Sequence, residues 1–189
     1  MRKLILIVHT SIDGFVAGVK GEFDGFNPSP ENLDFINSLT DEADAALVGR
    51  ISYQMLDSYW PTARDNANAS RSEIKYSNWY NDAEKIVLSR SLSKNNLSKT
   101  TIISENIEDG ILEIKNRNGK NILMFGSPTV FEALNKLNLI DEYWIINYPA
   151  FFGNGISFFT RAATPKKFKL LSERKFSNGE IAVHYKVEN

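Results

Sequence analysis

Leu123-Met124-Phe125-Gly126-Ser127-Pro128-Thr129 is an apolar run that stops abruptly on small residues of the kind that handle phosphate. Two earlier stretches end on a small residue and an arginine, Leu47-Val48-Gly49-Arg50 and Val87-Leu88-Ser89-Arg90. Gly49, Ser89 and Gly126 follow one another at roughly forty-residue intervals, about the length of a strand, a crossover helix and a second strand with their loops. In an open α/β sheet, ligands bind beyond the carboxyl ends of the parallel strands. Three such ends carrying Gly, Ser and Arg therefore define one crevice suited to a nucleotide.

Working outward, Leu4 to Val8 is a continuous aliphatic run, as expected of a central strand covered on both faces. Ser29 or Pro30 opens a helix that carries Leu33, Ile36 and Leu39 on one face. Ala45 to Val48 reads as the next strand, followed by a short helix over Ile51 to Leu56 that ends at Tyr59-Trp60-Pro61. Thr62 to Ser72 reads as a polar, mobile stretch and Ile74 to Tyr80 as a helix. Lys85 to Leu88, Thr101 to Ile103 and Asn121 to Phe125 read as strands. Ile107, Ile111, Leu112 and Ile114 mark an amphipathic helix that stops near Asn118-Gly119, and Thr129 to Leu137 mark another. From Asp141 the texture becomes β-rich. Tyr143 to Tyr148 is followed by Phe168 to Phe176 and Glu180 to Val187, the last two joined by a hairpin turn at Ser177-Asn178-Gly179. The prediction is a mixed α/β sheet, mostly parallel with an antiparallel C-terminal edge, and helices on both faces.

Bulk properties narrow the chemistry. A length of 189 residues supports one well-buried core and hence a single domain spanning 1–189. A net charge of −1 gives no general reason to expect nucleic acid or an anionic membrane as partner. The absence of cysteine excludes a disulfide scaffold, a thiol nucleophile and thiolate metal sites, and fits a reducing, cytoplasmic compartment. His9 and His184 are too few for a His-rich metal centre, so no metal is expected. Met1-Arg2-Lys3 before an apolar run begins like a secretory leader, but the run stops at His9 and Asp13 follows soon after. It reads better as a buried first strand.

Each candidate cluster has two readings. Gly49-Arg50-Ile51-Ser52 offers close backbone approach, free N–H groups at a helix start, a hydroxyl and a guanidinium fork for phosphate. A tight turn with a solvated arginine explains it equally well. Ser89-Arg90 gains value from its position, because a bidentate cation at a neighbouring strand end is what a 2′-phosphate requires. Gly126-Ser127-Pro128-Thr129 places Pro at the first helical position with Ser127 before it as N-cap, either as plain structure or as a pyrophosphate turn. It lacks the Gly-Lys-Ser/Thr of a Walker motif. Asp13-Gly14 is either a turn or a loop that closes over a ligand. Tyr53, Tyr59, Trp60, Trp79 and Tyr80 could line a pocket for a flat ring, although aromatics more often fill cores. Asp24, Glu31 and Asp34 are candidate proton donors for which surface solvation is the alternative. Gly153-Asn154-Gly155 reads as a simple turn.

Seven segments in order resemble one family. They are Ser11-Ile12-Asp13-Gly14-Phe15-Val16-Ala17-Gly18, Val48-Gly49-Arg50-Ile51-Ser52-Tyr53, Tyr59-Trp60-Pro61, Leu88-Ser89-Arg90-Ser91-Leu92, Phe125-Gly126-Ser127, Leu139-Ile140-Asp141-Glu142-Tyr143 and Gly153-Asn154-Gly155. They look like the stand-alone proteins similar to the reductase domain of the riboflavin-biosynthesis deaminase/reductase, the RibD C-terminal-like family. The resemblance implies a three-layer α/β/α dihydrofolate reductase-like fold and NADPH as cofactor. It assigns Gly49, Arg50 and Ser52 to the cofactor phosphates, Ser89 and Arg90 to the adenosine 2′-phosphate, and Gly126, Ser127, Pro128 and Thr129 to the pyrophosphate turn. Phe125 would lie near the nicotinamide, with His9, Asp13 and Val16 bordering the reaction centre and His9 and Val16 counted with the cofactor-binding residues. A homodimer joined through sheet edges and the β-rich C-terminal part is expected by the same analogy.

Two departures stand out. Dihydrofolate reductases place a pterin-binding carboxylate on the first helix, where this chain has Asn32 with Glu31 and Asp34 as neighbours, which counts against dihydrofolate as the natural substrate. The pyrophosphate turn is shortened, leaving two N–H donors rather than three. Deamination is excluded, because the zinc site of that reaction needs cysteines.

Hydride transfer asks the protein mainly to position cofactor and substrate. Asp13 is the first candidate for substrate contact or proton relay and Glu31 the second, with Asn32, Tyr53 and Trp60 assigned to the substrate. The expected activity is an NADPH-dependent reductase of a small pyrimidine, pteridine or related heterocycle. The competing readings are a non-catalytic NADP-binding module and a structural dimer of the same fold.

Overall fold

The computed structural model describes residues 1–23, 26, 28–92, 97–159 and 165–188. Asp24, one of the candidate proton donors, lies outside the described residues. The elements in chain order are β1 (Leu4–Ser11), β2 (Phe15–Ala17), α1 (Pro30–Thr40), β3 (Ala43–Gly49), α2 (Arg50–Asp57), α3 (Trp60–Ala63), α4 (Arg71–Asp82) and β4 (Glu84–Leu88). There follow β5 (Thr100–Ile103), α5 (Ile107–Asn116), β6 (Asn121–Phe125), α6 (Pro128–Lys136), β7 (Glu142–Tyr148), β8 (Ile156–Ser157), β9 (Phe168–Lys175) and β10 (Ile181–Val187).

Eight strands form one sheet in the order β5-β4-β3-β6-β1-β7-β10-β9. β1, β3, β4, β5, β6 and β7 run parallel, and β10 lies antiparallel to both β7 and β9. Alternation along the strands divides the core between two faces. Leu4, Leu6, Val8, Leu47, Ile86, Ile122 and Met124 pack against Ile111, Ile114, Phe131 and Leu134 of α5 and α6. Ile5, Ile7, Leu123, Trp144, Ile146 and Ala182 pack against Phe35, Ile36, Tyr76 and Tyr80 of α1 and α4. These are three layers, helices on each side of a mostly parallel sheet, with the antiparallel edge at the C-terminal hairpin.

Local signals account for most of the element ends. The Ser29 side chain accepts a hydrogen bond from the Glu31 N–H to cap α1, and Pro30 takes the first position, where no N–H is needed. Ser70 and Glu73 form a reciprocal capping box on α4. The hairpin turn closes with Gly179 at φ +89°.

Three expectations change. Thr62 to Ser72 is no loose stretch: α3 takes in Thr62 and Ala63, hydrogen-bonded turns at Asp65, Asn66 and Ala69 follow, and α4 starts at Arg71. The segment at Asp13-Gly14, which reads as a turn or a closing loop, runs directly into the short strand β2. Gly153-Asn154-Gly155 is not a free turn but leads into β8, which pairs antiparallel with β2. A Cβ on Gly155 would stand 2.3 Å from the Ala17 carbonyl oxygen, so this second, two-stranded sheet requires glycine there.

Candidate active-site crevice

Because six strands run parallel, their carboxyl ends share one edge of the sheet, and β4, β3, β6 and β1 are consecutive there. Gly49 pairs with Leu88, and the Gly126 N–H donates to the Ile7 carbonyl at 3.1 Å. The three punctuated ends therefore sit side by side. Gly49 is buried, and a Cβ on it would lie 2.8 Å from Ser127 Oγ and 3.1 Å from Val130 Cγ2. Glycine at this point lets the β3–α2 junction close onto the β6–α6 junction.

The helix starts at this edge differ in their chemistry. α1 and α4 are capped by Ser29 and Ser70. α2 and α6 have no side-chain cap and no acidic residue in the first turn. α5 is also uncapped, but Glu108 and Asp109 occupy its first turn. Orphan N–H groups and the positive end of the helix dipole thus remain available to an anion at α2 and α6. Ser127 holds the N-cap position of α6 without capping it, at φ +59°, following Gly126 at φ +53°. The expected N-cap hydrogen bond from Ser127 is absent; its hydroxyl lies instead 3.4 Å from that of Thr129.

The basic residues flank these starts. Arg50 is half-buried and donates to Gln54 Oε1 at 3.1 Å, one turn along α2, while Arg90 is exposed beyond the end of β4. The Ser89 oxygen accepts from the Ser91 and Leu92 N–H groups at 3.2 and 3.0 Å, which bends the chain so that Arg90 sits on a turn. Ser52 lies half-buried in the first turn of α2. Phe125 ends β6 against Tyr76 and Trp79, with ring centroids 6.3 and 6.0 Å away. Trp60 lies half-buried on Tyr76 in the same aromatic group, at 4.3 Å.

Tyr53 is a correction. It is only 5% exposed and packs with Val48 and Val87 under the sheet end, and burial pushes its phenol above the ordinary 10.0. A side chain spent in this way does not line a substrate pocket. Tyr80 is likewise core, and Tyr59 donates to Glu73 on the surface at 2.8 Å.

Asp13 fastens two loops. Its Oδ1 accepts from Ser11 Oγ at 2.6 Å and from the Phe152 N–H at 3.2 Å, and its Oδ2 from the Gly153 N–H at 2.7 Å. Partial desolvation raises its pKa, but these donors outweigh that and hold it below 3.8. An ionised carboxyl with both oxygens engaged suits fastening far better than proton delivery. Val16, in β2, packs half-buried against the core of the α5/α6 face. Glu31 stands half-buried in the first turn of α1.

The arrangement matches known proteins over the whole chain. Residues 2–182 match the RibD C-terminal domain. The chain belongs to that family. The uncharacterized protein YyaP of Bacillus subtilis is 27% identical over 187 residues, covering 97% of this chain and 94% of YyaP. A provisionally named riboflavin biosynthesis protein from Shewanella sp. PV-4 superposes with a TM-score of 0.75, at 20% identity and 100% coverage of both chains. The deaminase/5-amino-6-(5-phosphoribosylamino)uracil reductase of Thermotoga maritima gives 0.68 at 17% identity, over 98% of this chain and 56% of that one. Dihydrofolate reductase of Enterococcus faecalis, solved with NADP(H) and RAB-propyl, gives 0.65 at 14% identity, over 99% and 97%. The fold of this RibD C-terminal domain is thus dihydrofolate reductase-like.

One residue escapes the sequence reading altogether. Glu180, 1% exposed and directly before β10, reaches α1: its Oε2 accepts from Asn32 Nδ2 at 2.6 Å and its Oε1 from the Ser29 N–H at 2.8 Å. Asn32 Oδ1 in turn lies 3.0 Å from His9 Nε2. A carboxylate does stand beside the first helix of this RibD C-terminal domain, supplied from the hairpin. The only sequence signal is an acidic residue directly after the Ser177-Asn178-Gly179 turn.

Proposed function

We propose that this RibD C-terminal domain is an NADPH-dependent reductase that transfers hydride to a small heterocycle. The activity most like it is that of a 5-amino-6-(5-phosphoribosylamino)uracil reductase or a dihydrofolate reductase-related one. The supporting observation is the pair of uncapped, acid-free helix starts brought together at Gly49, with Arg50 and Arg90 on the adjacent strand ends. That donor set fits a dinucleotide. The N–H groups of α2 and α6, with Ser52, Ser127 and Thr129, would hold the phosphates, and Arg50 and Arg90 would select a 2′-phosphate. Phe125 would border the nicotinamide. NADPH supplies the hydride, so the chain's own task is to align an electrophilic carbon and exclude water. The likeness to dihydrofolate reductase and to the uracil reductase supports the reading through the fold.

The test is NADPH against NADH binding by fluorescence, with cofactor consumption followed on dihydrofolate and on the aminouracil ribosyl phosphate. Arg50→Ala should raise the NADPH dissociation constant about tenfold. That is the low end of a charge-assisted contact of about 1.5–3 kcal/mol, because Arg50 is part-exposed. An unchanged constant removes the phosphate assignment.

A further inference from the structure

His9 stands on β1 beyond the end of β6. Phe125 of β6 lies opposite Ile7, and the Gly126 N–H closes onto the Ile7 carbonyl, so two residues further along the same face His9 overhangs the crevice. Behind the ring runs a chain of polar contacts that the cofactor reading leaves unused. Glu180 is surrounded by three N–H donors, those of Ser29 (2.8 Å), Asn178 Nδ2 (2.6 Å) and Asn32 Nδ2 (2.6 Å). A carboxylate accepts and an amide nitrogen donates, so Glu180 takes the NH2 end of Asn32 and turns its carbonyl Oδ1 toward His9. That oxygen has only lone pairs to offer, so the ring nitrogen facing it at 3.0 Å, Nε2, must carry the hydrogen. In the neutral ring the proton is then absent from Nδ1. Among the described residues Nδ1 has no hydrogen-bond partner, and it is not one of the buried, unpartnered polar atoms.

We propose that His9 reads the substrate: Nδ1, kept as a bare acceptor by the Asn32–Glu180 chain, takes a hydrogen bond from a ring N–H or amino group of the heterocycle. The substrate class is accordingly a lactam, amidine or aminopyrimidine presenting an N–H donor. This goes beyond the assignment of His9 to the cofactor side, and it rests on the reading of the crevice as a reductase site. Asn32 and Glu180 act through His9 and are positioning residues. Burial holds the imidazole below its ordinary 6.5, against the opposing pull of the Asn32 hydrogen bond and the Glu180 charge, which keeps the lone pair in place at neutral pH. From α1 the ring faces Asn32, from β7 it faces Ile146 as strand neighbour, and from the hairpin Glu180 is the charged group that acts on it. Protonation at acid pH converts Nδ1 into a donor and turns the substrate N–H away.

The experiment is 15N NMR on protein labelled at histidine, at pH 7.5, with His184→Gln to separate the two histidines. We expect the Nε2–H tautomer for His9; the Nδ1–H tautomer, or an even mixture, overturns the proposal. Glu180→Gln leaves one acceptor oxygen for three donors and should lower the Nε2–H fraction. If that variant does not fold, the wild-type tautomer decides. Uracil, which presents ring N–H groups, and 1,3-dimethyluracil, which presents none, are then titrated with and without NADPH. Uracil should move the Nδ1 resonance and its dimethyl analogue should not. An equal response to both, or none to either, overturns the assignment. NADPH fluorescence in the same samples separates the two claims. Loss of NADPH binding with a retained uracil response removes the reductase reading and keeps His9. Normal NADPH binding with a silent Nδ1 does the reverse.

Discussion

Gly49→Ala probes the contact that closes the crevice. The backbone at Gly49 has φ −83° and ψ 165°, a conformation open to any residue, so alanine adds no backbone strain and the added methyl acts through contact alone. That methyl meets Ser127 Oγ at 2.8 Å and Val130 Cγ2 at 3.1 Å. The serine hydroxyl can rotate away. Val130 cannot easily do so, because it is 5% exposed and a helical valine has one strongly preferred rotamer. The cost therefore comes from widening the gap between β3 and α6 and falls at the low end of overpacking, about 1 kcal/mol. For a chain of this size that lowers Tm by about 2–4 °C. A dinucleotide held as proposed would feel the change twice, through the displaced Ser127 hydroxyl and through the separation of the α2 and α6 starts. Thermal unfolding with and without NADPH should show a modest drop in the free protein and a larger drop in the NADPH-induced rise. Val130→Ala on top of Gly49→Ala should cost less than the sum of the two single changes, since it removes the clashing group. A Gly49→Ala protein with wild-type Tm and a wild-type NADPH response would refute the close-approach argument.

Other outcomes follow from the contacts. Tyr53→Phe should leave substrate and NADPH constants within about twofold, whereas Tyr53→Ala should cost about 3–5 kcal/mol in denaturant unfolding; a selective KM effect in Tyr53→Phe would restore the tyrosine to the pocket. Asp13 has a lowered pKa, so its contribution is present above the ordinary 3.8 and disappears as pH falls through the folded value. Hydrogen exchange at the Phe152 and Gly153 amides should rise selectively in Asp13→Ala at neutral pH, and unaltered protection there would rule out the fastening role. Glu142, 6% exposed, accepts from Lys3 Nζ at 2.7 Å and faces His184 Nε2 at 3.1 Å. Desolvation raises its pKa, but Lys3 and His184 outweigh it and hold it below 4.5, so its stabilisation is present above pH 4.5 and fades below. Glu142→Ala should cost about 1.5–3 kcal/mol at pH 7, checked by urea unfolding, with a smaller difference from wild type in acid.

The parts of this chain that read well from sequence are those whose surroundings lie nearby in the chain. Gly49, Ser89 and Gly126 each stop an apolar run, and a parallel sheet then brings strand ends together whatever the remaining side chains do. Ser29 and Pro30 announce α1 for the same reason, whereas Ser70, whose side chain caps α4, lay hidden in a stretch that reads as loose. Tyr53 misleads because its position one turn after Gly49 says nothing about which face of α2 meets β4, and that contact puts it in the core. Asp13 looks chemical beside Gly14, yet the amides it binds lie 139 and 140 residues away. Glu180 is the extreme case: after Ser177-Asn178-Gly179 it reads only as the opening residue of a hairpin strand, and a contact across 148 residues makes it the carboxylate behind Asn32. The side of the crevice proposed for phosphate is built from backbone at strand ends, which local punctuation reveals. The side proposed for the substrate is built where β1, α1 and the C-terminal hairpin converge, so its chemistry exists only once the fold has closed.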